Sequence, residues 1–260
     1  MKNILIVFCG MLVAASAVAQ DDEAKEIFRK SIDKNTFGME GAVSRVKMEL
    51  ANRRGETSER VVLSKSRKFS GLRNTVVCFA SPDDVKGTSF LVNEKRGRKD
   101  DQFLYLPELS KVRRIAASQR SGSFMGTDFS YADLESQNVD DADYKALPED
   151  DLGTHVIEVT PKESAKNSDI YSKVIYWIDK QSFISRRAKF FDKKGAHLKT
   201  MFVKETAVAE GREYVKVSKM QNVKKKHSTV LSVDSITFKV DDLGEDVFQL
   251  ETLKQGRPCN

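Results

Sequence analysis

Catalytic and metal-binding constellations are missing from this sequence of 260 residues, and histidine and cysteine are scarce, with three of each. The histidines, His155, His197 and His227, are far apart and lie in or beside predicted strands, which is typical of half-exposed strand residues rather than metal ligands. The motifs H-E-x-x-H and G-x-S-x-G and phosphate-binding glycine loops are also missing. These absences predict a protein that is not an enzyme and that binds no metal or cofactor.

Long apolar runs and long runs of one charge are lacking as well. Beyond the N-terminal segment, no stretch is long and apolar enough to cross a membrane as a helix. Charged residues make up 32% of the chain and are well mixed in sign, with a formal net charge of +6. No basic run alternates with aromatic residues as a single-strand groove requires, so a nucleic-acid partner is not expected.

The N-terminal segment has the pattern of a secretory signal peptide. Lys2 supplies a positive start, Ile4–Val13 a short apolar run, and Ala17–Ala19 an A-x-A cleavage site before Gln20. The apolar run is too short to span a bilayer in the mature protein, and an uncleaved anchor is the alternative. We expect residues 1–19 to be removed, leaving residues 20–260 as a single domain in the periplasm.

Two cysteines, Cys78 and Cys259, remain in the expected mature chain. An exported compartment permits a disulfide bond, but the spacing of the cysteines does not decide whether one forms. Cys9 follows Phe8 inside the apolar run, where a lipid-attachment site would need a small residue. The sequence therefore predicts no acyl anchor and leaves the disulfide open.

Alternation of apolar and charged residues is the main secondary-structure signal. After an amphipathic helix that starts near Asp22, Val46, Met48 and Leu50 share one face of a strand whose other face is charged. Similar segments recur between short turn signals, and about a dozen strands predict one antiparallel sheet curled towards a barrel. The acidic stretch Gln137–Gly153 is predicted to be a loop, and Gly244–Leu253 a short helix or tail.

The most unusual segment follows the predicted strands Phe103–Leu106 and Val112–Ile115. It is apolar and contains Gly122 and Gly126, whereas connections are normally polar because they run over the surface. It must therefore cover its own core, a partner or a ligand. Ser130 and Asp133 form a capping pair for a predicted helix over Tyr131–Ser136. The candidate ligand-binding residues are Phe124, Met125, Phe129, Tyr131, Leu134 and Tyr105. The first four would alternatively form a plug that fills the barrel.

Two adjacent arginines are candidates for a latch. Neighbours on a strand point to opposite faces, so either Arg113 or Arg114 is expected to face the interior. A buried arginine needs an acidic partner, and Asp128 or Asp133 on the following loop would serve. The pair is interpreted either as a structural salt bridge or as a latch that opens when lipid enters.

Three pieces of this region carry a resemblance to a known family: Leu104–Pro107, Arg113–Ile115 and Ser123–Leu134. They resemble the outer-membrane lipoprotein-sorting proteins of the LolA/LolB-like superfamily, and Val230–Asp241 is similar to its C-terminal strand. The resemblance implies a mainly β fold, an incomplete, half-open antiparallel β-barrel of about 11–12 strands with a few short helices covering the mouth. The chain departs from the best-known members in its extended central insertion.

The resemblance also implies a function. It indicates a periplasmic carrier that binds lipid acyl chains in an apolar barrel cavity and moves lipoprotein or lipid towards the outer membrane. The partners so implied are a lipid or acylated lipoprotein, an inner-membrane transporter and an outer-membrane acceptor. The alternative is a non-enzymatic envelope adaptor with a filled interior that docks on an exporter or another envelope protein.

Overall fold

The structure is a computed structural model that describes residues 7–32, 34, 41–150, 153–165 and 170–255, with side chains from Gln20 onward. The predicted cleavage after Ala19 concerns side chains outside this set, and Cys259 lies outside it as well. Cys78 is buried and disulfide-bonded. A bond between Cys78 and Cys259, which the sequence leaves open, would involve a residue outside this set.

The described chain contains two α-helices and thirteen strands. The helices are α1 (Val7–Ile32) and α2 (Leu250–Lys254). The strands are β1 (Ala42–Ala51), β2 (Thr57–Phe69), β3 (Leu72–Ser81), β4 (Ser89–Asn93), β5 (Asp101–Leu106), β6 (Lys111–Arg114), β7 (Ala142–Leu147), β8 (His155–Pro161), β9 (Tyr171–Ile178), β10 (Ser185–Asp192), β11 (His197–Ala209), β12 (Arg212–Asn222) and β13 (His227–Thr237).

All thirteen strands belong to one antiparallel sheet, in the order β6-β5-β4-β3-β2-β1-β13-β12-β11-β10-β9-β8-β7. Strands adjacent in sequence are paired, except β6 and β7. The pairing of β1 with β13 joins the two halves of the chain. The sheet is not closed, because β6 and β7 are its two edges among the described strands. This open, barrel-like sheet confirms the predicted fold class, with one or two strands more than expected.

The connection between the two edge strands is the segment of residues 115–141, which we call the crossover segment. It must pass from one edge of the sheet to the other, so it runs over the concave face. It contains four short 3-10 turns, Ala117–Gln119, Phe124–Gly126, Tyr131–Leu134 and Val139–Asp141.

The prediction that Gln137–Gly153 is a loop is wrong for the residues in the middle of this stretch. Ala142–Leu147 forms β7, which pairs with β8. Only Tyr144 is buried in this strand. An edge strand with a single buried residue has too weak an alternation to be recognised from sequence.

Two apolar clusters pack against the sheet, one on each face. The larger one fills the concave face, where Phe28 of α1 lies with its ring centroid 5.3 Å from that of Tyr144 and 4.9 Å from that of Tyr176. The smaller cluster lies on the outer face, where Phe248 and Leu253 pack against Cys78 and its neighbours. The short helical C-terminal segment predicted over Gly244–Leu253 is therefore confirmed. No helix within the described residues has the length and apolar character needed to cross a membrane.

Candidate functional site

The crossover segment inserts an aromatic side chain into the concave face. Phe124 has no exposed surface, and its ring centroid lies 5.0 Å from that of Phe90 and 5.9 Å from that of Phe79. Tyr131 packs edge-on against Phe124, at 5.7 Å. Phe124 thereby occupies space between the crossover segment and strands β3 and β4.

A tight turn presents Phe124 to the sheet. The backbone NH of Phe124 donates to the carbonyl of Phe129 at 2.7 Å, which closes a small hairpin. Met125 and Gly126 both have positive φ, at 47° and 80°, and a glycine adopts this conformation most readily. The Arg60 guanidinium of β2 donates to the Met125 carbonyl from below. This contact fastens the tip of the turn to the sheet.

The predicted capping pair is present. The Ser130 NH donates to the Asp133 carboxylate at 2.6 Å, and the Asp133 NH donates to the Ser130 hydroxyl at 3.3 Å. The helix that follows is a 3-10 helix over Tyr131–Leu134, two residues shorter than predicted. Asp133 is therefore held so that its carboxylate points into the concave face.

The first anchor of the crossover segment is the contact of Asp133 with a buried lysine in the second half of the sheet. Lys199 of β11 forms an ion pair with Asp133, and the two side chains are 4% and 7% exposed. The Tyr171 hydroxyl donates to the same carboxylate at 2.7 Å. Burial, together with the nearby Asp133 carboxylate, raises the pKa of Tyr171 well above its usual value, so Tyr171 stays a neutral hydrogen-bond donor.

Asp128 forms a second anchor, at the start of β13. Its carboxylate lies 2.7 Å from Nδ1 of His227 and accepts a hydrogen bond of 2.8 Å from the Thr229 hydroxyl. The Asp128 NH donates back to the Thr229 hydroxyl at 3.0 Å. Lys199 Nζ donates to the Asp128 carbonyl at 3.2 Å, which links the two anchors.

A third anchor ties the crossover segment to β5 and the turn before it. Arg120 and Glu135 form a buried ion pair within the segment. Arg120 also donates to the Asp100 carbonyl at 2.6 Å, and the Ser136 NH donates to the Asp100 carboxylate at 2.9 Å. Gln102 of β5 donates to the Tyr131 carbonyl at 2.8 Å. Polar contacts thus hold the segment at both ends and in its middle.

The predicted pairing of Arg113 or Arg114 with Asp128 or Asp133 is wrong. Arg113 pairs across strands with Leu104 on the inner face, but β6 is an edge strand and Arg113 remains exposed. Arg114 faces outward and pairs with Asp101 at 2.6 Å. The two aspartates lie too deep in the concave face to reach β6, and they meet β9, β11 and β13 instead.

The other candidate residues divide between the two faces. Phe124 and Phe129 are buried in the concave cluster, and Met125, Tyr131 and Leu134 pack against it while partly exposed. Tyr105 lies on the outer face, in the smaller cluster, because it alternates with the inward Leu104 and Leu106 of β5. Five of the six candidates are therefore brought together, and Tyr105 is not.

Three small cavities lie beneath the crossover segment. Their volumes are about 60, 80 and 30 Å³, and Asp133 and Glu135 line all of them. The walls are largely apolar and include Phe28, Val159 and Phe190. Ligand pockets usually measure about 300–1,000 Å³. The crossover segment thus divides one apolar concavity into spaces that are too small for a lipid chain.

Sequence analysis missed several anchor residues, namely Lys199, Tyr171, His227, Arg120 and Glu135. Lys199 could have been found from the sequence. It is two residues from the apolar Met201 on the same strand, so alternation places both side chains on the inward face. A lysine on a buried face requires a partner, and a carboxylate on the apolar loop is the natural candidate. No group of histidine, cysteine and acidic residues that could hold a metal occurs within the described part of the chain.

Three solved structures have folds similar to this open antiparallel sheet. The chain is 29% identical to an outer-membrane lipoprotein-sorting protein domain from Vibrio parahaemolyticus, with a TM-score of 0.81 and coverage of 90% of this chain and 99% of that one. It is 27% identical to a DUF1329 family protein from Desulfovibrio piger, with a TM-score of 0.80 and coverage of 91% and 98%. A LolA superfamily protein from Nitrosomonas europaea shares the fold at 20% identity, with a TM-score of 0.65 and coverage of 90% and 98%.

A protein-family model described as an uncharacterized protein family matches residues 71–255. The chain belongs to this family, and it shares its fold with the lipoprotein-sorting protein domain, the DUF1329 family protein and the LolA superfamily protein. No curated protein matches it.

Proposed function

We propose that this protein is a carrier that binds the acyl chain of a lipid or lipoprotein in the concave face beneath the crossover segment. The observation that supports the proposal most directly is the crossover segment itself, which covers an apolar concavity and is attached to the sheet at a few discrete polar anchors. Displacing it would merge the three small cavities into one apolar cleft. The same proposal makes the protein non-enzymatic.

The energetic balance favours an exchange of one apolar occupant for another. Each acyl methylene that is buried contributes about 0.8 kcal/mol, so a long chain could replace the contacts of Phe124 and Phe129. Opening separates the ion pair of Asp133 and Lys199. The bound state must therefore provide Lys199 with water or another polar group in place of the carboxylate, because a buried charge without a partner is costly.

The direction of transport and the location rest on the relatives. The Vibrio parahaemolyticus protein is named for outer-membrane lipoprotein sorting. By analogy, we propose that this protein loses residues 1–19, carries lipoprotein or lipid through the periplasm towards the outer membrane, and receives and delivers cargo through an inner-membrane transporter and an outer-membrane acceptor. N-terminal sequencing of periplasmic material tests the first step, because it should start at Gln20.

The carrier proposal is tested with an environment-sensitive fatty-acid probe. Phe124→Ala and Phe129→Ala should alter uptake and release of the probe by the folded protein. Phe248→Ala is the matched control, because Phe248 is also buried but lies in the outer cluster. It should lower the free energy of unfolding by about 3–5 kcal/mol without changing probe exchange.

Two outcomes would contradict the carrier proposal. One is the absence of saturable probe binding by protein shown to be folded, which would favour the adaptor with a filled interior. The other is a large loss of stability in Phe124→Ala with probe binding per folded molecule unchanged, which would make Phe124 a core residue only.

A further inference from the structure

A row of aromatic and basic side chains crosses the outer face of the second half of the sheet. Trp177, Arg187, Phe202 and Lys219 lie side by side on β9, β10, β11 and β12. The Arg187 guanidinium carbon lies 4.6 Å from the ring centre of Trp177 and 5.8 Å from that of Phe202. Lys189, two residues along β10, lies 5.6 Å from the Trp177 ring. The aromatic rings therefore hold two cations on one face.

These two cations have no acidic partner. Arg187 and Lys189 form no salt bridge with any described residue, and the buried Nε of Arg187 has no hydrogen-bond partner there. Burial and then the neighbouring Arg187 charge lower the pKa of Lys189. Nearby carboxylates are already used, since Glu158 pairs with Lys173 at 2.6 Å and Asp192 with Lys224 at 2.5 Å. Two like charges held together without a counterion favour an external anion.

Arg187 and Lys189 line one side of a groove of about 590 Å³. Its lining includes His197, Lys226 and His227 and contains no carboxylate. At its rim, the turn between β12 and β13 exposes Val223, which is 45% exposed and is followed by Lys224–Lys226. Basic side chains beside exposed apolar ones match a surface with phosphate groups above hydrocarbon.

We propose that this outer face, defined by Trp177, Arg187, Lys189, Phe202, Val223 and Lys226, docks on a membrane surface that carries anionic phospholipid. Arg187 and Lys189 contact lipid phosphates, and Trp177 lies at the level of the headgroups, where tryptophan is favoured because its ring is amphipathic. Trp177, Arg187, Lys189 and Phe202 lie on the opposite side of the sheet from the crossover segment, and His227 at the end of the groove is the lining residue that also contacts Asp128 of that segment. Docking therefore leaves the concave face free, and it goes beyond the proposed carrier function.

The chain contains one tryptophan, so its fluorescence reports on this face alone. The protein is titrated with vesicles of phosphatidylcholine containing phosphatidylglycerol, with pure phosphatidylcholine vesicles, and with inorganic phosphate at the same phosphate concentration. We expect a blue shift and co-sedimentation with the anionic vesicles only, and both should weaken as salt is added. The paired variant Arg187→Gln with Lys189→Gln should lose about fivefold in vesicle affinity for each charge removed.

The matched control is Lys86→Gln with Lys111→Gln, which removes two charges from exposed positions in the other half of the sheet. It should change vesicle affinity less than twofold. Lys226→Gln, in an exposed turn, repeats the test without disturbing the aromatic row. Equal binding to neutral vesicles, an equal loss in the control variant, or a fluorescence change reproduced by inorganic phosphate would each overturn the proposal. Fatty-acid probe binding, measured on the same samples, reports separately on the carrier function.

Discussion

The Asp128 carboxylate lies 2.7 Å from Nδ1 of His227, and this contact joins the crossover segment to the first residue of β13. Thr229, two residues along the same strand, donates to the same carboxylate. The crossover segment begins at one edge of the sheet, yet it is anchored to a strand in the middle of the sheet. Opening the concave face therefore requires that Asp128 leave β13.

Asp128→Asn should speed exchange of a fatty-acid probe. The amide weakens the contacts with His227 and Thr229, and a hydrogen bond to a charged group contributes about 1.5–3 kcal/mol. Stopped-flow release of the probe measures the effect. Asp101→Asn is the control, because the Asp101 carboxylate also has charged partners, Arg98 and Arg114, but lies on the outer side of β5. Equal release rates for Asp128→Asn and the wild type would show that this contact does not limit opening.

Arg60→Met should loosen the tip of the crossover segment. Arg60 donates to the Met125 carbonyl, and methionine keeps the bulk of the side chain while removing the donor. Amide hydrogen exchange should become faster in residues 122–130. Arg67→Met is the matched control, because Arg67 donates to the carbonyls of Val240, Asp241 and Leu243 on the other side of the sheet. It should speed exchange around residue 240 instead, and faster exchange at the same sites in both variants would contradict the prediction.

Alkaline pH should destabilise the protein through its buried tyrosines. Burial raises the pKa of Tyr176 to about 12, whereas a tyrosine in the unfolded chain has a pKa of about 10. A raised pKa stabilises the fold fully below about pH 10, and this contribution is lost as the pH rises towards 12, because only the unfolded state ionises. Denaturant unfolding at several pH values measures the loss.

In Tyr176→Phe, stability should fall less steeply between pH 10 and 12, by up to about 1.4 kcal/mol per pH unit for one proton. Each protein is first measured at pH 7, so the loss of unfolding free energy at alkaline pH is taken relative to the same protein. An identical slope in the variant and the wild type would mean that Tyr176 ionises in the folded protein as it does in the unfolded chain.

Local patterns predicted the sheet and the special character of the crossover segment, whereas the partners of that segment lay beyond them. Phe124 and the capping pair of Ser130 and Asp133 are encoded within a few residues, so the sequence shows them directly. The partners of Asp133, Lys199 and Tyr171, are more than thirty residues away in sequence and depend on the strand order. The predicted acidic partner of Arg113 was wrong for the same reason. Alternation correctly placed Arg113 on the inner face, but only the topology shows that its strand is an exposed edge.

The buried pair of Asp133 and Lys199 should show strong coupling. Lys199→Met leaves a carboxylate buried without its cation, which typically costs about 3–5 kcal/mol. Asp133→Asn likewise leaves Lys199 buried without its carboxylate partner. The double variant removes both charges, so its loss of unfolding free energy should be smaller than the sum of the two single losses. Chemical denaturation of the four proteins gives the coupling energy, and additive losses would mean that Asp133 and Lys199 act independently.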